Sequence, residues 1–143
     1  MKKSLAALII LIFIFLAFGC AGPEAKNERK IPTNQAWAML KSNFESLLQT
    51  KEAKDNKKIS RFHWNFLTEG IVNSSKRISQ SLENDNSREA EILKDAAEKI
   101  ITLTNMYSEE INKGKAAEDA PSVVQSIRED LDQAEMMIKN SQK

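Results

Sequence analysis

Residues 91–111, EILKDAAEKIITLTNMYSEEI, decide the architecture. Leu93, Ala97, Ile100, Thr104, Tyr107 and Ile111 recur at alternating spacings of four and three, which sets them in one line along a helix of 3.6 residues per turn. A strand would scatter the same residues over both of its faces. Seven charged side chains, Glu91, Lys94, Asp95, Glu98, Lys99, Glu109 and Glu110, lie off that line, so the segment reads as an amphipathic helix that must press one stripe against other helices. Asn86 followed by Glu89 has the spacing of a capping box, and Gly114 stands where a left-handed residue ends a helix. The predicted helix runs over about 87–113.

Three more segments show the same rhythm. About 34–51 carries Trp37, Leu40, Phe44, Leu47 and Leu48, with Thr33 or Asn34 as cap. About 57–82 carries Ile59, Phe62, Phe66, Leu67, Ile71, Ile78 and Leu82. About 122–140 carries Val124, Ile127, Leu131, Ala134 and Ile138. Four Gly and three Pro in 143 residues leave little of the punctuation that hairpins require. Connections this short join antiparallel neighbours, so residues 34–143 are expected to form an all-α, up-down-up-down four-helix bundle.

The chain starts MKKSLAALIILIFIFLAFGCAGPE: two lysines, an apolar run over residues 5–18, then Gly19, Cys20, Ala21 and Gly22. This is the pattern of an export signal. Leu16, Ala17, Phe18 and Gly19 ahead of Cys20, the sole cysteine, resemble the lipobox of the bacterial lipoproteins. The resemblance covers only these first 22 residues. It implies cleavage after residue 19, a diacylglyceryl thioether on Cys20, and frequent acylation of the new amino group. It further implies a place at the outer membrane or cell surface rather than the inner membrane. Two long acyl chains, at about 0.8 kcal/mol per buried methylene, hold a protein on a bilayer durably. Ala17 and Phe18 depart from the commonest residues of that box, and two other readings of the segment stay open. Ala17 and Gly19 satisfy the small-x-small rule of ordinary signal peptidase at the same bond. Residues 5–22 also approach the minimum of about 17 for an uncleaved span. All three place the body outside the cytoplasm. Residues 20–33, polar and holding Pro23 and Pro32, read as a lipidated flexible tether.

Loss of Lys2 and Lys3 with the signal takes 21 Lys and Arg to 19, against 20 Asp and Glu. So neutral a body has no electrostatic footprint for nucleic acid. Nucleophile elbows, phosphate loops and Cys-x-x-Cys pairs are absent from the sequence, and no enzyme is expected.

The densest aromatic stretch of the body is RFHWNFL, residues 61–67, with the only histidine of the chain. On the stripe assigned to that helix, Phe62 and Phe66 face inward with His63 beside them, and Trp64 falls at the flank or surface. Two functional readings follow. In the first, the bundle is a lipid-anchored accessory, adaptor or surface subunit that binds a partner protein, with Trp64 as the anchor of the contact. In the second, an aromatic end formed by Phe44, Phe62, His63, Phe66 and Tyr107 encloses a haem or metal, and the protein is a carrier or sensor. Against the second, the body offers no other His or Cys as a further ligand, so no cofactor is expected.

Overall fold

The computed structural model describes residues 30–141; residues 1–29, on which the readings of an export signal and of lipidation at Cys20 fall, lie outside the described residues. Four helices follow in order: α1 Thr33–Asp55, α2 Arg61–Ser81, α3 Arg88–Lys113 and α4 Ala120–Ser141. Each packs antiparallel on the next, and α4 returns to α1. The protein is an all-α four-helix bundle. α1 also touches α3 across the short diagonal, whereas α2 and α4 do not meet. The section is therefore a flattened rhombus with α2 and α4 at its far corners.

Local chemistry sets the ends of the elements, sometimes one residue from where the capping spacings point. Ser60 caps α2 by accepting from the His63 N–H at 3.2 Å, and Ser87, rather than Asn86, caps α3 by accepting from Ala90 N–H at 3.3 Å. α4 begins at Ala120, and the Ser122 hydroxyl in its first turn donates to the Asp119 carbonyl. α3 stops at Gly114 in the left-handed region, φ 69°. α1 runs a turn further than its stripe suggests, to Asp55, and Lys57 at φ 57° reverses the chain toward α2. The last residues of the expected tether belong to the body: Ile31 packs on the core and Lys30 pairs with Asp85 at 3.4 Å. That contact puts the chain entry at the α2–α3 end, which is opposite to the α1–α2 turn.

The core is aliphatic and small. Leu40 and Leu47 from α1, Ile78 from α2, Leu93, Ile100 and Leu103 from α3, and Ile127 from α4 are all fully buried. Ala90, Ala96 and Ala97 let the neighbouring helices close on α3. The stripes of α1, α3 and α4 follow the sequence pattern.

The stripe of α2 does not. Its buried line is Trp64, Thr68, Ile71, Ser75, Ile78 and, at its end, Leu82, again spaced four and three. Trp64 is fully buried; Phe62 and Phe66 are 75% and 68% exposed. The expectation that these two phenylalanines line the interior with Trp64 outside is thus reversed. Residues two apart on a helix lie about 200° apart, so an inward Trp64 turns both of them outward. The remainder of the helix settles the contest. Facing Phe62 and Phe66 inward would carry Glu69, Asn73 and Lys76 into the core and lift Ile71 and Ile78 out of it. Thr68 and Ser75 are tolerated in the buried line because their hydroxyls are bonded, Thr68 to the Trp64 carbonyl at 2.8 Å and Ser75 to Asn43 Nδ2 at 3.1 Å. The Trp64 indole donates to Ser108 Oγ on α3 at 3.2 Å.

This rotation makes a sharp prediction for urea denaturation. Trp64→Ala should lower stability by about 3–5 kcal/mol. Phe62→Ser and Phe66→Ser should each stay within about 0.5 kcal/mol of the parent. The opposite ranking of midpoints would mean that α2 is turned the other way.

Candidate functional site

The outward face of α2 is built from its cap upward. Ser60 Oγ lies 3.0 Å from His63 Nδ1 as well as accepting the His63 N–H, which parks the imidazole against the first turn, in water. The Phe62 ring meets it edge-on, centroids 6.0 Å apart and planes at 74°. Phe66 follows one turn on, and Leu67, 44% exposed, flanks it toward α1. Three bonds hold this turn against the end of α3: Arg61 Nη2 to the Ile111 carbonyl at 3.2 Å, Trp64 to Ser108, and Asn112 Nδ2 to Asn65 Oδ1 at 3.3 Å. The face is fixed by its scaffold.

Of the residues expected to make a site, Phe62, His63 and Phe66 therefore come together, but on the surface. Trp64 is removed from them to the core, where it cannot anchor a contact. The enclosed aromatic end does not form: Phe44 is buried and Tyr107 half-buried on α1 and α3, separated from the exposed three by the body of α2. Among the described residues no group of three or more His, Cys, Asp or Glu is placed to hold a metal ion. An open cleft of about 350 Å³ lies elsewhere, between α1 and α4, floored by Trp37, Phe44, Leu48 and Leu131 and rimmed by Lys41, Glu45, Arg128 and Asp132. The indole of Trp37 closes its base by donating to the Leu131 carbonyl at 3.0 Å.

Charge marks the α2 face as well. Residues 57–82 carry Lys57, Lys58, Arg61, Lys76 and Arg77, all exposed, against the single carboxylate Glu69. None of the five joins an ion pair among the described residues. The sequence pattern hides this concentration because the chain as a whole is nearly neutral; counting charge helix by helix reveals it.

Behind the face, α1 and α3 are clamped by Lys51, whose side chain is only 13% exposed. Its ammonium reaches Asp55 at 2.8 Å and Glu110 at 3.4 Å, and lies 5.0 Å from the Tyr107 ring centroid. Burial pulls the Lys51 pKa down, but Asp55 and Glu110 together outweigh it and hold the group above its ordinary value of 10.5. Burial pushes the Tyr107 phenol above 10.0, with Lys51 opposing and Glu110 and Asp55 adding to the rise.

Comparison with protein-family models, with curated proteins and with solved structures yields no match. No helix among the described residues is long and apolar enough to cross a membrane.

Tyr107 is the only tyrosine, so its ionisation can be followed alone by ultraviolet difference absorbance. A phenol held protonated in the fold favours folding at pH below its unfolded pKa, and that contribution is lost as pH rises through the higher folded value. The native midpoint should lie above 10.0, fall to about 10 in urea, and rise further in Lys51→Met. A midpoint unchanged in Lys51→Met would rule out the clamp, and a native midpoint at or below the unfolded one would mean that burial does not govern the phenol.

Proposed function

We propose that this chain is a lipid-anchored, extracytoplasmic helical bundle that acts by docking a partner protein on the outer face of α2, as an accessory, adaptor or surface subunit. The observation that carries the reading is the exposure of Phe62 and Phe66 on adjacent turns. Scattered apolar residues on a surface are ordinary. Two phenylalanines side by side with Leu67, each forgoing about 2–3 kcal/mol of burial, are the composition of a contact. Rigid bonding of that turn to α3 supports the reading further, since a preorganised face loses little freedom on binding.

The lipobox-type segment supports anchorage through Cys20. Chain entry at the opposite end of the bundle then puts the length of α1, about 35 Å for 23 residues, between the bilayer attachment and the aromatic turn. A partner would be met away from the tether. Chemistry by the bundle itself finds no support in clustered ionisable groups.

Intact-mass analysis from a bacterial host should show a chain that starts at Cys20 and is heavier by a diacylglyceryl group. A photo-crosslinking residue at position 62 or 66 should give one discrete protein adduct in membranes, and the same residue at Glu52 none. Mass at Met1 with no lipid would end the anchorage reading, and silence at 62, 63, 66 and 67 alike would end the docking reading.

A further inference from the structure

We infer that the partner on the α2 face is a second copy of this chain, presenting the outer face of α4. The inference rests on the docking reading above and names its occupant. The large hydrophobic residues left exposed among the described residues are Phe62, Phe66, Leu67 and Met136. The first three lie on α2. Met136, 60% exposed, lies on α4 opposite the buried Ile127, at the outermost line of that helix. The two helices that carry them are the two that do not touch. Their outer faces point away from each other.

Their charges are opposite. Against the five cations and one carboxylate of residues 57–82, residues 118–141 carry Glu118, Asp119, Glu129, Asp130, Asp132 and Glu135 with only Arg128 and Lys139. Asp130 is held by Lys99 at 2.7 Å and Glu135 by Lys139; Glu129 and Asp132 are exposed and outside any ion pair among the described residues. Five cations against one carboxylate on residues 57–82, and six carboxylates against two cations on residues 118–141, are complementary in sign on one molecule. An anionic bilayer would satisfy α2 alone and leave α4 unexplained, which is why the second copy is favoured.

The pairing has a level. Trp64 is bonded to Ser108 and Lys99 to Asp130, so α3 relates heights on α2 to heights on α4. With two copies side by side and parallel, Lys57, Lys58 and Arg61 meet Glu118 and Asp119. Glu69, the lone acid, comes within a turn of both Arg128 and Glu129, Lys76 and Arg77 come within a turn of Asp132, and Met136 stands level with Ser79, about 20 Å from the phenylalanines. Phe62 and Phe66 cover the exposed Pro121 at the start of α4. Parallel copies also send both chain entries to the same side, as tethering to one membrane requires. Because donor and acceptor faces sit at opposite corners, each contact leaves one free face at either end, and the association is an open row rather than a closed dimer.

The test uses the full lipidated chain in zwitterionic vesicles, labelled with donor or acceptor at Gln49→Cys on α1. Energy transfer between wild-type copies should exceed that of a random surface distribution. It should vanish in Phe62→Ser/Phe66→Ser, and equally in Glu129→Lys/Asp132→Lys. All four positions are exposed, so circular dichroism should show both variants folded. Mixing the first variant as donor with the second as acceptor should restore transfer, since each retains the face the other lacks, at the level of a pair that cannot grow. Absence of transfer in the wild type, or a mixture that stays dark, overturns the proposal. So does transfer that depends on adding phosphatidylglycerol. A photo-adduct at position 66 with the mass of two copies supports it. An adduct with a different protein overturns the self-association while leaving the docking reading intact.

Discussion

The burial of Trp64 is the constraint on which the rest of this bundle's surface depends. One large ring, inserted between α2 and α3 and bonded through its N–H to Ser108, sets the rotation of α2 about its own axis. A helix has no freedom to satisfy three aromatics placed two residues apart, because the positions on either side of an inward residue turn outward. Once Trp64 is inside, Phe62 and Phe66 are in water, His63 rests on its own cap hydroxyl, and Lys76 and Arg77 share the phenylalanines' face. A single packing decision in the core thereby produces the most conspicuous feature of the exterior.

The same decision explains why the chain's neutrality conceals a polar body. α1 and α3 occupy the short diagonal and use their contacts on each other, with the Lys51 clamp over Tyr107 and the aliphatic seam beneath. α2 and α4 are left at the far corners, each with a full outer face and opposite sign. Segregation of charge onto non-touching helices costs little within one molecule, since the two faces are screened from one another by the bundle and by solvent ions. Its effect is felt between molecules, as steering and as choice of neighbour.

Legibility in the sequence varied with the chemistry of each stripe. α1, α3 and α4 bury leucine, isoleucine and alanine on seams spaced four and three, and their pattern reads directly as structure. α2 has a seam of the same spacing, Trp64–Thr68–Ile71–Ser75–Ile78–Leu82, but two of its members are hydroxylated and the strongest hydrophobes of the helix lie off it. Weighing hydrophobicity selects Phe62 and Phe66; weighing periodicity selects Trp64. Periodicity wins because a helix is buried as a rigid whole, and the polar residues aligned with the phenylalanines along α2 would be far costlier inside than the phenylalanines are outside. Thr68 escapes that cost locally, by donating back to the Trp64 carbonyl, and Ser75 through a partner that spacing cannot reveal, Asn43 on α1.

From its residues alone, this protein is determined to be helical and to have four elements in an antiparallel order, because both rest on local spacing and composition. Tertiary structure alone decided which side of α2 meets water, that α2 and α4 stand apart, and that Trp64 belongs to the core while Phe62 and Phe66 belong to the surface. Those facts depend on how four rigid faces share one interior and on which buried hydroxyl finds a partner across it. Periodicity within one helix carries no record of either.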